Sequence, residues 1–269
     1  MSWSSIKTEG IVLTVVPVRE ADRAYNILTP THGKLEIIGR GAQKGLAKLA
    51  SHLEPFAVVD VEIIRGQHST TVISVDRQFT FKKISNELST RLLAQSSLIL
   101  LNRYTHELTD DQASYQDLVD WLSFLNVGRD FSATRSTFLL GAFLLKLMKR
   151  SGYDVELVNC LACRNEIAPS DFRWHAGKGG LVCSDCVSAD KEEWFTARNI
   201  EDDVIKLLRF ARDSRYEDLI RLALSGVHME SFANMVHDLV SFHLPGRYDR
   251  PFWEGILADV ELEFQPESV

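Results

Sequence analysis

Over the first 80 residues the apolar positions come in short runs, many alternating with polar ones, and turn residues separate the runs. Residues 10–16, 25–30, 35–39, 56–64 and 70–75 each read as a strand, with Thr31-His32-Gly33-Lys34 turning the second into the third. Five short strands in this length predict a small barrel. The OB-fold is the commonest five-stranded barrel, and an SH3-like barrel fits the same periodicity. From residue 84 the period changes to helical. Leu88, Leu92 and Ile99, with Leu101, Tyr104 and Leu108, fall on one helix. Ser114-Tyr115-Gln116-Asp117 reads as the cap of a second helix carrying Leu118, Leu122 and Leu125. A third helix is predicted over 134–150, with Lys146, Lys149 and Arg150 at its negative end and Gly152 as its stop. Further helices are predicted over 196–211, 216–224 and 229–244, the last ended by Pro245-Gly246, before an acidic tail from Phe252. No internal repeat or low-complexity stretch interrupts this order.

Between the two helical stretches lie all four cysteines, as Cys160-Leu161-Ala162-Cys163 and Cys183-Ser184-Asp185-Cys186. Each C-x-x-C turns two thiolates toward a common centre, and two such knuckles at this spacing complete a tetrahedral sulfur shell. Residues 172–175 read as a short strand, and Gly177-Lys178-Gly179-Gly180 turns it back toward the second pair, so a zinc ribbon is expected. An iron–sulfur cluster would use the same four ligands. Disulfides would need an oxidising compartment, and a redox pair would sit beside a βαβ pattern, which the sequence lacks. His175 is expected on the strand surface rather than at the metal. A closed four-sulfur shell leaves no position for a substrate water, so the expectation is one structural zinc ion per chain.

Composition is that of an ordinary globular chain, 45% hydrophobic and 25% charged over 269 residues, enough for about two domains and a small module. The longest apolar run, 138–145, is far short of a membrane helix, and Met1-Ser2-Trp3-Ser4-Ser5 does not open a signal segment, so a cytoplasmic protein is expected. The net charge of −7 at first disfavours nucleic acid, but it is unevenly spread. Residues 1–80 carry nine basic and eight acidic side chains, whereas residues 191–269 carry nine and sixteen. Local patches, not the total, decide binding.

One segment of the barrel region breaks the strand pattern. Arg40, Lys44 and Lys48 lie in residues 40–53 among glycines and with no acid. A loop of this kind could follow a phosphate backbone. Lys34, Arg19 and Arg23 are further candidates for phosphate contact, although Glu20 and Asp22 weaken the local field of the two arginines. Tyr25, Phe56 and Phe79 are candidate platforms for base stacking, although aromatics at such positions are more often core. Catalytic patterns are lacking. There is no phosphate-binding G-x-x-x-x-G-K-[ST] and no H-E-x-x-H, and His228-Met229-Glu230 spells H-x-E only after both cysteine pairs, unlike a zinc deaminase. A non-enzymatic protein is expected, either a DNA-binding one or a ribbon adaptor that contacts proteins only.

The order of these features resembles a family. A barrel start, Gly41-Ala42, then Leu53-Glu54-Pro55-Phe56, a helical stretch, and Gly152-Tyr153-Asp154-Val155-Glu156-Leu157-Val158-Asn159-Cys160 leading into the ribbon is similar to the RecO family of bacterial recombination mediators. The resemblance implies an α+β multidomain chain. Residues 1–82 would be an OB-fold DNA-binding domain, 83–158 and 191–269 two parts of a helical domain, and 159–190 a zinc ribbon held by Cys160, Cys163, Cys183 and Cys186. It further implies binding of single- and double-stranded DNA, annealing of complementary strands and loading of the RecA recombinase. Expected partners are RecR and the single-strand-binding protein, with RecA met indirectly, and the expected location is the nucleoid. In the 40–48 loop, Gln43 and Leu46 stand where family members commonly carry basic residues.

Overall fold

A computed structural model of the chain describes residues 4–18, 20–42, 49–67, 69–105, 112–169 and 171–244. The chain divides into two compact units, Met1–Asp130 and Phe131–Val269. The first opens with β1 (Ser4–Pro17), β2 (Arg23–Thr29), β3 (Gly33–Gly39), β4 (Ala57–Arg65) and β5 (Thr70–Thr80). Their hydrogen-bonded order is β1-β2-β3-β5-β4, and β4 returns to β1 to close the ring.

The closure depends on β1. Its residues 4–11 pair with β4 and its residues 11–17 with β2, so one strand serves both sides of the barrel. A register shift between Val12 and Thr14 supplies the bend, since an extra residue on one strand sharpens local curl. Gly10 permits the close approach there, because a Cβ at this position would lie 3.2 Å from the Leu28 carbonyl oxygen. The opposite seam is thin, a single parallel bridge between Ile38 of β3 and Thr71 of β5. A parallel pair between non-consecutive strands requires a crossover, which a plain meander lacks. This is the partly open five-stranded arrangement of an OB-fold.

Strand alternation packs the interior. In β3 and β4, Leu35, Ile37, Val59, Val61 and Ile63 point inward while Glu36 and Asp60 face water. Ala42 and Leu53, from the connection between β3 and β4, join the same core. Of the three stacking candidates, Tyr25 is fully buried in it and Phe56 is only 9% exposed, the core placement that is the commoner one for aromatics, while Phe79 is 50% exposed. A short 3-10 turn, Lys82–Asn86, leads to α1 (Leu88–Tyr104) and α2 (Gln112–Leu125). Ser114 lies inside α2 and is buried rather than capping it. Helix α2 is tied to the barrel by the Tyr115 hydroxyl, which donates to Glu9 at 2.5 Å. Burial and the Glu9 carboxylate together push the Tyr115 pKa far up, so the phenol stays protonated.

The second unit contains α3 (Ala133–Arg150), the hairpin β6 (Phe172–His175) and β7 (Gly180–Cys183), and α4 (Ser184–Ala189), which sequence periodicity did not predict. Then come α5 (Asp202–Asp213), α6 (Tyr216–Leu219) and α7 (Gly226–His243). Two predicted helices are therefore shorter or shifted: residues 196–201 precede α5, and residues 220–224 lie beyond α6. The tail from Pro245 lies outside the described residues. The apolar α3 packs against α5 and α7. Its cations close the ends of neighbouring elements. Arg135 donates to the carbonyls of Leu219 and Leu222, and Lys146 donates to those of Arg212 (2.9 Å) and Ser214 (2.7 Å). No helix among the described residues is long and apolar enough to cross a membrane.

The α3–α7 contact is set by one missing side chain. A Cβ at Gly141 would come within 2.6 Å of the Phe232 ring, which is itself fully buried and packed 5.2 Å from Phe138. Gly141→Ala should therefore destabilise the second unit by about 1–3 kcal/mol through overpacking. Adding Phe232→Leu should recover part of that loss. Thermal melts of both variants read the result.

Candidate metal centre and nucleic-acid interface

The metal centre is built on an extended segment that follows α3. Glu156 bonds β7 through its own N–H to the Gly179 carbonyl (2.9 Å) and its carbonyl to the Leu181 N–H (3.0 Å). The approach is so close that a Cβ on Gly180 would meet the Glu156 carbonyl oxygen at 2.5 Å. The Glu156 carboxylate accepts the N–H groups of Val158 and Asn159, both at 2.9 Å. Burial raises its pKa, but those two donors and the nearby Arg164 and Arg212 outweigh it, and the group is held below its ordinary range. The segment then delivers Cys160 to the knuckle. The Cys160 N–H donates to the Asn165 carbonyl (2.8 Å), the Arg164 N–H donates back to the Cys160 carbonyl (3.0 Å), and Arg164 turns the chain with φ +63°. The second pair comes from the end of β7 and the first turn of α4.

The four sulfurs lie within 4.8 Å of one another, and Cys163 Sγ is 3.9 Å from Cys183 Sγ. A disulfide needs ~2.05 Å. Four thiolates at ~2.3 Å from one ion stand ~3.8 Å apart, so the spacing is that of a tetrahedral shell. Cys160 Sγ also accepts the N–H groups of Ala162 and Cys183, each at 3.4 Å. Burial pushes the Cys160 thiol up, yet these donors and that of Cys163 win and bring it down to about 6. A hydrogen bond with Cys183 pushes Cys186 up to about 12, and burial raises Cys183. One thiolate is thus prepared by the backbone, and a dication would displace the remaining protons. The four cysteines are placed to hold one metal ion.

His175 takes no part in this shell and is buried rather than at the surface. Its Nδ1 accepts the Lys178 N–H at 3.1 Å, which leaves the ring proton on Nε2, 2.9 Å from Thr196 Oγ1. Burial lowers its pKa and keeps the ring neutral, with its edge against Trp194. The H-x-E residues are also elsewhere: His228 Nδ1 sits 2.8 Å from a Glu201 carboxylate oxygen.

Of the basic candidates, Arg19, Lys44 and Lys48 lie outside the described residues. Arg23 opens β2 directly opposite Gly39, so Arg23 and the exposed Arg40 share one end of the β2–β3 hairpin. Asp22 fastens that end by accepting the Gly41 N–H at 2.8 Å. Lys34 stands toward the other end of the hairpin, opposite Leu28, and its ammonium donates to the Asn102 carbonyl at 2.7 Å. The structure thus groups Arg23 with Arg40 and separates Lys34 from them. On the ribbon, Lys178 is paired with Glu193 and lies 4.8 Å over the Trp194 ring.

Comparison with known proteins agrees with this architecture. The family model described as Recombination protein O N terminal matches residues 1–77, and the one described as Recombination protein O C terminal matches residues 87–250. The chain belongs to the RecO family. Similar RecO proteins include the "DNA repair protein RecO" of Caldanaerobacter subterraneus, 26% identical over 89% of this chain and 93% of the relative. That of Dehalococcoides mccartyi is 23% identical over 95% and 97%. That of Geobacter sulfurreducens is 30% identical over 67% and 72%. This is a RecO-family DNA repair protein whose cysteine cluster has the geometry of a metal site.

Removing one ligand tests the centre. Cys183→Ser should lower the metal content of purified protein from one equivalent per chain and destabilise the fold by about 4 kcal/mol or more, roughly 10 °C in melting temperature. Elemental analysis and thermal melts read both effects.

Proposed function

We propose that this RecO-family chain is a non-enzymatic recombination mediator. It binds single- and double-stranded DNA, anneals complementary strands and helps to load recombinase onto DNA covered by single-strand-binding protein. In this reading residues 1–82 form the DNA-binding domain, residues 159–190 a ribbon around one structural zinc ion, and residues 83–158 and 191–269 the helical part. RecR and the single-strand-binding protein are its partners, and its place is the cytoplasm at the nucleoid.

The observation that carries the reading is the family match over nearly the whole chain, joined to an OB-type barrel with Arg23 and Arg40 at one end. Strand annealing needs no covalent chemistry. It needs phosphate contacts that ignore sequence and let go, which lysines and arginines on a barrel provide through counterion release. Zinc suits the closed four-sulfur shell, which would bind the ion for architecture and leave no site for substrate. The alternative, an adaptor that contacts proteins only, draws support from Phe195, 81% exposed just after the ribbon.

DNA binding decides between them. Changing Arg40, Lys44 and Lys48 to Gln should weaken single-strand binding and lower the slope of log K against log salt by about 0.7 per residue, roughly 2 in total. Annealing should proceed without ATP. An unchanged slope and affinity would move the DNA site off this loop, and no DNA binding at all would favour the adaptor.

A further inference from the structure

We propose that the first unit holds a second grip for single-stranded DNA, formed by Lys82, Lys83 and Arg129, so that one chain carries two strands at once. The inference rests on the DNA-binding reading above and adds a site to it.

Residues distant in sequence come together here. The backbone N–H of Lys83 donates to Asn126 Oδ1 at 2.9 Å, and a Cβ on Gly128 would lie 3.8 Å from the Lys83 Cβ. Gly128 makes the turn with φ +68°. The 3-10 turn after β5 and the loop after α2 are thereby locked together, and both present cations. Lys82, Lys83 and Arg129 are exposed, and among the described residues no ion pair joins them to an acid. Of the acids close by in sequence, Asp130 accepts the Ser89 hydroxyl, and Glu87 is half-buried. Three residues before Lys82, the Phe79 ring is 50% exposed and held edge-on against Phe81 at 5.0 Å. Cations close along the chain to a fixed, open aromatic ring are the chemistry that grips a single strand without reading its sequence.

This grip is separate from the one at Arg23 and Arg40. Strand β5 starts at Thr70, opposite the exposed Arg65, with Thr71 bridging Ile38 of β3, and it ends at Thr80, just before Lys82. At ~3.3 Å per residue, its two ends stand about 30 Å apart. Midway, Glu9, Asp60 and Asp76 are direct cross-strand neighbours over β1, β4 and β5. Gln78 donates to Asp60 at 2.8 Å, and Tyr115 holds Glu9. Like charges set opposite one another repel, and together they repel phosphate. A strand bound at one end is not drawn along this face to the other, which leaves the second end for another strand. Two strands held on one barrel are what an annealing protein has to bring together.

The test uses the full chain and dT oligonucleotides of about four nucleotides, the small end of the range for one OB-fold, so that one oligonucleotide occupies one end alone. Titration at low salt should give two oligonucleotides per wild-type chain and one for K82Q/K83Q/R129Q. The remaining affinity should stay within about twofold, and annealing of complementary strands should slow at least tenfold. All three side chains are exposed, so the variant should melt with wild type. Phe79→Ala tests the same site without changing charge, and should weaken the second event by roughly tenfold. One oligonucleotide on wild type, or two on the triple variant, overturns the second grip and leaves DNA binding intact. No binding to wild type would instead overturn the DNA-binding reading itself.

Discussion

The second unit depends on satisfying the backbone of one extended segment, residues 155–161. It belongs to no regular strand or helix, and buried N–H and C=O groups must be paired. Its partners come from three directions. Arg212 of α5 donates to the Val155 carbonyl at 2.6 Å, and Arg209 donates to that of Leu157. Strand β7 takes Glu156 and Leu161, and the Ile167 N–H takes the Val158 carbonyl. Helix α5, the ribbon hairpin and the first knuckle are thus joined through one stretch of main chain. Cys160 reaches its place because the residues before it have nowhere else to bond. A metal ion would then lock a geometry that the hydrogen bonds have already brought close.

That arrangement has an electrostatic consequence. Arg135, Lys146, Arg209 and Arg212 direct their charge at carbonyl oxygens of the second unit and so do little for a phosphate outside it. Arg212 is in addition paired with Asp213 at 2.7 Å, and Lys149 lies 3.6 Å from both Asp154 and Asp213. A count of basic residues therefore overstates the surface charge of this unit. The barrel's cations are fewer, and three of them are also held: Lys7 lies 3.6 Å from Glu62, Arg77 lies 3.6 Å from Glu54, and Lys34 donates to the Asn102 carbonyl, while among the described residues no ion pair joins Arg40 or Arg65 to an acid.

The features legible in the sequence were those whose cause is local. Cysteine spacing pointed to the cluster of four sulfurs, and the switch from period two to helical period separated barrel from helices. The Ala133–Arg150 helix was readable from its apolar run and terminal cations. What escaped depended on contacts far along the chain. Tyr25 reads as an aromatic on a strand, and only the ring closure turns it inward. Lys34 reads as a free cation until Asn102, 68 residues on, takes its proton donor. The neutral, buried state of His175 needs Thr196 and Trp194, which follow the second knuckle. Helix α4 is six residues long and too short for periodicity to reveal. Lys82 and Lys83 carry no pattern in the sequence that would join them to Arg129, since the loop after α2 meets Lys83 only through Asn126 and Gly128.

Charge placement also bears on how the proposed mediator, an acidic chain, would accommodate a polyanion. The surplus of acids behind the total of −7 lies in residues 191–269. Within the barrel region the balance is nearly even, and its pattern decides the outcome. Carboxylates gather at the centre of the β1–β4–β5 face, while Arg23 and Arg40 stand where β2 begins and β3 ends. OB-folds receive oligonucleotides on the face of strands 2 and 3 and on the loops beside it. In this chain the repulsive row lies on the other strands, so the charge pattern and the fold's binding face favour the same side. The bend in β1 is what sets the two faces apart, since it turns a single strand from its pairing with β4 to its pairing with β2.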